Sequence, residues 1–297
     1  MFNRLNKKAS CVIIVGIYAI AIFIGILVYM ALDNMINSVL VKMLIADIAA
    51  TIIVWIFSLI TKNSSVYDPY WSVIPVIIAI GFIYVRSTPL TTIDYLAFTA
   101  ILVWALRLTY NWVKGWNGFS HQDWRYTDLK ESSKKLWHIT NFFGIQFMPT
   151  MFVFFGLVPT YFTLNQVIST KSIIFTSLGA AICIFAAVLE FFADEQMRKF
   201  RKQHSGRVID CGLWKYSRHP NYFGEVTFWC GLFIMSIPNF YWLSLVGPIG
   251  MIILFNFISI PLMEKHIIKC KPEYLQYKKE VSMFIPWFKK KKDNDSN

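Results

Sequence analysis

Residues 172–192 read SIIFTSLGAAICIFAAVLEFF, an apolar run broken by one charge, Glu190. A helix crossing a bilayer needs about 20 mostly apolar residues, and this stretch supplies them. Working outward, comparable runs occupy 11–32, 40–59, 93–113, 136–162 and 240–263, with two shorter ones at 71–85 and 222–237. Of the 297 residues, 56% are hydrophobic and 15% charged, where a soluble domain carries about 25% charged. That balance excludes an ordinary cytosolic enzyme, a disordered chain and a disulfide-built secreted module. The expected fold is all-α, a polytopic membrane bundle of seven or eight spans. The first run is too long for a cleavable signal peptide, and no small-residue cleavage site precedes the next span.

Eight crossings put 1–10, 60–70, 114–135, 193–221 and 264–297 on one side, and these hold 25 of the 29 Lys and Arg. Arg86 and Lys171 fall on the other side, while Lys42 and Arg107 lie within spans. Basic loops stay in the cytoplasm, so both termini are expected there, in a bacterial plasma membrane or the endoplasmic reticulum. The net charge of +12 is then a topology signal plus attraction to anionic lipid. No nucleic-acid recognition motif accompanies it. Lys289–Lys292 opens a basic tail, 289–297, expected to be disordered at its Asn/Asp-rich end.

The usual catalytic signatures are missing. No GxGxxG, GxxxxGK[ST] or GxSxG occurs. The five cysteines lack CxxC spacing and the five histidines form neither HExxH nor a clustered box, so no metal centre is expected.

Polar residues concentrate in 189–231. Glu190, Asp194, Arg198 and Arg201 follow a 4-4-3 spacing that shares one helical face. Pro220 suits a first helical turn, and Asn221 and Glu225 sit four apart as the next apolar run begins. One reading is a juxtamembrane basic loop with solvated charges, adequate for Arg198, Lys199 and Lys202. It explains Asn221 and Glu225 poorly, because ionisable groups inside a span are expensive and tend to be functional. The other reading is a site for a polyanionic ligand, its phosphates held by arginine forks and the remainder oriented by amide and carboxylate.

Gly212-Leu-Trp-Lys-Tyr216-Ser-Arg218-His219-Pro-Asn221-Tyr222-Phe-Gly-Glu225, preceded by Ala193-Asp194-x-Gln196, resembles the C-terminal signature of the membrane steroid 5-alpha-reductase superfamily. Glu264, Tyr274, Tyr277 and Phe284-Ile285-Pro286 resemble its closing pattern. Asp68-Pro-Tyr70-Trp71-Ser72, Trp104-x-x-Arg107-Leu108 and Trp124-Arg125-Tyr126 are similar to its N-terminal signatures. The likeness covers 65–288, leaving 1–64 as N-terminal spans outside it. It implies NADPH as cofactor, with Asp194, Gln196, Arg201, Arg207, Tyr216, Arg218, His219, Asn221, Tyr222, Glu225, Glu264, His266 and Tyr277 as binding residues. Sterol C14/C7 reductases carry a similar motif. Isoprenylcysteine carboxyl and phospholipid methyltransferases share RHPxYxG and use S-adenosylmethionine instead. Glu225, Asn221 and the arginine-rich Arg198–Arg218 stretch match the reductase form, since a dinucleotide carries phosphates and a sulfonium does not.

In that family an acidic residue and a tyrosine from N-terminal spans polarise a substrate carbonyl, which nominates Asp68, Tyr70 and Arg107 as catalytic. Asp68 also suits a helix N-cap before Pro69. Arg107 also suits an arginine snorkelling to the interface. Trp104 stands where the family tyrosine would, and Tyr70 or Tyr110 remain as substitutes. The abundant aromatics read as lipid-facing Phe and interfacial Trp and Tyr. The expected activity is NADPH-dependent reduction of a double bond in a lipophilic substrate drawn from the bilayer. The alternatives are a membrane methyltransferase and a non-enzymatic lipid-binding protein.

Overall fold

The computed structural model describes residues 2–86 and 88–290, so the end of the basic tail, 291–297, lies outside the described residues. The helices are α1 Lys7–Ala31, α2 Val39–Thr61, α3 Tyr70–Tyr84, α4 Thr92–Gly115, α5 Trp124–Ser133, α6 Trp137–Thr140, α7 Met148–Leu164, α8 Thr170–Gln203, α9 Pro220–Ser236, α10 Val246–Ile253, α11 Ile260–Cys270 and α12 Tyr274–Glu280. No strand occurs among the described residues. Seven helical segments there are long and apolar enough to cross a membrane. The protein is therefore an all-α, multi-pass integral membrane protein. α9, with 17 residues, is about 26 Å long at 1.5 Å per residue, and the 3-10 turn Ile237–Asn239 extends it.

The helix starts follow from the sequence. Asn6 and Ser38 accept from backbone amides in the first turns of α1 and α2, supplying partners to N–H groups a helix leaves orphaned. Asp94 accepts from both the amide and the hydroxyl of Thr91 before α4. Ser169 and Ser172 make a reciprocal pair before α8. α1 buries Ile14, Ile17, Tyr18 and Ala21 and leaves Val12, Val15, Phe23 and Met30 facing outward. Apolar residues on both faces are what a helix between lipid and protein requires.

Two expected spans are not plain α-helices. Asn141–Phe147 and Leu254–Ser259 are π-helical, and each ends two residues before a proline, Pro149 or Pro261. A proline ring clashes with the preceding turn and donates no hydrogen bond. Widening that turn by one residue accommodates it within a continuous helix.

The most extensive packing joins α8 and α9. A Cβ on Gly231 would meet Cys183 Sγ at 2.6 Å and the Gly179 carbonyl oxygen at 3.0 Å, so the backbones approach through small residues, the usual device where lipid gives helices no hydrophobic drive to associate. At the rim carrying few basic residues, charges pair locally: Lys42 with Asp33 at 2.5 Å, and Arg86 with Asp94.

Candidate functional site

α8 continues eleven residues beyond the apolar run that announced it, ending at Gln203. That extension keeps Glu190 and Asp194 on one helix, facing α4 and α9. Arg107 of α4 reaches across to both: its guanidinium pairs with Glu190, lies 3.2 Å from Asp194 and 3.6 Å from Glu225. Asn221 Nδ2 donates to Asp194 Oδ1 at 3.3 Å. The arginine is not snorkelling; it is the buried counter-ion of three carboxylates.

Glu225 is filled from three helices. Trp71 and Trp229 donate their indole N–H to Oε1, each at 3.0 Å, and Trp104 donates to Oε2 at 3.1 Å. Trp104 and Trp229 are fully buried, and Trp104 stacks on Phe228 with ring centroids 4.3 Å apart. These tryptophans, expected at the lipid interface, are interior donors instead. Gly224 permits the arrangement, because a Cβ there would collide with Glu190 Cγ. Glu190 Oε1 and Arg107 Nε remain buried without a partner.

A second cluster forms at the end of the bundle. Glu264 Oε1 accepts from Arg218 Nε at 2.7 Å and Tyr274 at 3.2 Å, and lies 3.2 Å from His219 Nε2. Lys278 lies 2.8 Å from Oε2. Arg218 Nη1 also donates to the carbonyls of Lys278 and Val281 at 2.6 and 2.9 Å. Burial pushes the His219 imidazole below its ordinary pKa, outweighing Glu264, which favours the charged form; Arg218 and Lys278 press the same way as burial. The Tyr277 phenol, raised by burial, donates to the Trp214 carbonyl at 2.6 Å. Arg218, His219, Glu264 and Tyr277 are thus brought together, each engaged by the protein itself.

A third centre lies among α2, α3 and α7. Tyr70 donates to Asp47 Oδ1 at 2.6 Å, and Thr51 donates to the Tyr70 oxygen at 3.1 Å. Thr51 and Thr150 hydroxyls are 2.9 Å apart, and Tyr67 is 2.8 Å from Thr150. The Tyr67 and Tyr70 rings stack with centroids 5.0 Å apart. Asp47 is buried and its Oδ2 has no partner. Asp47 was missed in the sequence, being one acid in an apolar run outside the resemblance.

The remaining nominees scatter. Asp68 is not an N-cap: its Oδ1 accepts from Tyr126 at 2.7 Å, and Pro69 precedes α3 without a side-chain cap. Gln196 accepts from the Leu213 amide at 2.8 Å, fixing the loop after α8. Tyr222 stacks on His219 at 5.4 Å, and His266 stacks on Trp124 at 3.6 Å. Arg201, Arg207, Tyr216 and Tyr110 are exposed. A polar cleft of about 610 Å³ opens beside Arg207, Asp210, Glu273 and Lys289, and an apolar one of about 320 Å³ lies between α7 and α10.

Residues 54–281 match the model of the family described as "Protein of unknown function (DUF1295)", and the chain belongs to that family. Uncharacterized protein C594.04c of Schizosaccharomyces pombe is 24% identical over 283 residues, an alignment spanning 84% of this chain and 80% of the yeast protein. No solved structure matches the chain.

Proposed function

We propose, taking membership of this family as the premise, that the protein is an integral-membrane NADPH-dependent reductase of a carbonyl-conjugated double bond in a lipophilic substrate, distantly related to the membrane steroid 5-alpha-reductases. The observation that carries this reading is the Tyr70–Asp47 pair, a phenol held 2.6 Å from a buried carboxyl group whose other oxygen has no partner. Buried polar groups are nearly always satisfied, and an ionisable residue inside a membrane bundle defaults to function.

NADPH presents a carboxamide, ribose hydroxyls and phosphates. Asn221 and Asp194 are only partly buried, with the unpartnered Glu190 Oε1 and Arg107 Nε behind them; leftover donors and acceptors of this kind suit amide and hydroxyl groups. Exposed Arg201 and Arg207 suit the phosphates. Arg218, His219, Glu225 and Glu264 bond to one another and to the protein, and so shape the site. The residues fit the cofactor, which when bound supplies a hydride.

In this reading the substrate carbonyl takes the hydrogen bond that Tyr70 now gives Asp47. Negative charge gathers on the carbonyl oxygen during reduction, and a fixed phenol donor in a water-poor interior stabilises it. Asp47 holds the phenol until substrate arrives, Thr51 goes on donating to its oxygen, and Thr51, Thr150 and Tyr67 link it to further hydroxyls through which a spent proton can be replaced. Both termini face the cytoplasm, as the 25 Lys and Arg on one side support.

Thermal unfolding in detergent tests the cofactor. A ligand that binds only the native state stabilises by RT ln(1 + [L]/Kd), about 2.7 kcal/mol at a hundredfold excess over Kd. NADPH should raise the midpoint of the wild type and leave Asn221→Ala unmoved. No rise with NADPH in the wild type, or a rise with S-adenosylmethionine alone, sinks the reductase reading.

A further inference from the structure

The segment after α12 runs back along the loop that precedes α9. The Arg218 amide donates to the Ser282 carbonyl at 2.9 Å, the Trp287 amide to the Tyr216 carbonyl at 2.9 Å, and the Ser217 hydroxyl to the Phe284 carbonyl at 2.7 Å. The Lys290 amide closes the strap on the Glu280 carbonyl at 2.9 Å. Phe284 meets Phe223, in the first turn of α9, edge to face at 5.6 Å. The strap therefore lies level with the start of a helix embedded in the bundle, where the membrane meets water.

Its outward side is apolar. Ile285, Trp287 and Phe288 are 63%, 69% and 75% exposed, and Tyr216 meets Phe288 at 6.1 Å beside them. Neighbouring apolar side chains left this open are costly in water and at home at a lipid headgroup boundary, where Trp concentrates. Exposed Lys215 and Lys290 flank the patch, and Lys289, alongside, reaches Glu280 at 2.8 Å. Aromatics framed by lysines complement an anionic leaflet, which attracts each basic residue close to it.

We propose that the strap, residues 282–290, docks on an anionic lipid surface, and that this docking clamps the loop carrying Arg218 and His219. The inference goes beyond the reductase reading and stands without it. The occupant is committed by charge and by position: the strap adjoins the first turn of α9 through Phe284 and Phe223, and the rim of the patch is basic.

The test is amide hydrogen exchange of the full chain in nanodiscs, of phosphatidylcholine alone or with one third phosphatidylglycerol. Each basic residue near an anionic surface contributes roughly fivefold, so Lys215 and Lys290 together should slow exchange at the Arg218, Trp287 and Lys290 amides by about 25-fold in the charged discs. The double variant Lys215→Glu, Lys290→Glu should lose that dependence while α8 and α9 keep their protection. Equal exchange of the wild type in both kinds of disc overturns the proposal. So does protection that follows the number of protein copies per disc rather than lipid charge, which would assign the patch to a second copy of the chain.

Discussion

The Arg107 centre and the Asp47 centre are both polar and both buried, and share α3, yet they solve the problem of polarity in a membrane oppositely. Around Arg107, three carboxylates and three indole N–H groups converge from α3, α4, α8 and α9. Around Asp47, one carboxyl group meets only hydroxyls, and one of its oxygens has no partner. The first is a knot of paired ions that ties four helices together, with Glu190 Oε1 and Arg107 Nε left over. The second is an open chain of small dipoles that can re-aim without separating charge. A knot of ions resists change and a chain of hydroxyls permits it, and the two adjoin at the start of α3, where Tyr70 serves one and Trp71 the other.

The largest effect should come from untying the knot. Arg107→Met leaves three carboxylates without their cation, and removing one partner of a buried ion pair costs about 3–5 kcal/mol. The thermal midpoint in detergent should fall steeply; a midpoint near wild type would show that the centre does not hold the fold. Next comes Tyr70→Phe. Losing a positioned donor to a developing oxyanion costs about 10²–10³-fold in turnover, while leaving the buried Asp47 carboxyl without its donor costs folding about 1–3 kcal/mol. Turnover with NADPH, measured beside the midpoint, separates the two roles. If Tyr70→Phe destabilises as much as Arg107→Met, the division between centres collapses. The smallest effect is expected from Gly224→Ala, whose added methyl would collide with Glu190 Cγ. Overpacking of this kind costs about 1–3 kcal/mol, and the midpoint should drop by less than for Arg107→Met. A stabilised variant would show that α8 and α9 are not held close at this point.

What the sequence disclosed follows from which signals are local. Apolar runs are local, and every expected span has its helix, including the short α3 and α9. The 4-4-3 spacing placed Glu190 and Asp194 on one face, and α8 keeps them there. Pairing across the chain left no such trace: nothing in Arg107 says that its partner is 83 residues away in Glu190. Trp71, Trp104 and Trp229 looked like interface aromatics because composition cannot tell an indole facing headgroups from one facing a carboxylate. The π-helical turns did leave a mark, Pro149 and Pro261, legible only as an exception to the apolar pattern. Asp47 had neither motif nor spacing, and only the arrival of Tyr70 on a neighbouring helix gives it a partner.

The knot around Arg107 also has a consequence in time. The chain leaves the ribosome from its N-terminus, so α4 reaches the membrane with its arginine before any of the three acids has been made. An isolated arginine in the middle of a helix costs about 2.5–3.5 kcal/mol on insertion scales. α9 brings the reverse problem, a 17-residue helix burdened with Glu225. Neither segment is well suited to entering lipid alone. Their insertion is therefore tied together: α4 is settled when α8 delivers Glu190 and Asp194, and α9 follows into a slot whose cation and indole from Trp104 already wait. By contrast, Asp94 comes only eight residues after Arg86, and that pair is complete almost as soon as it is made.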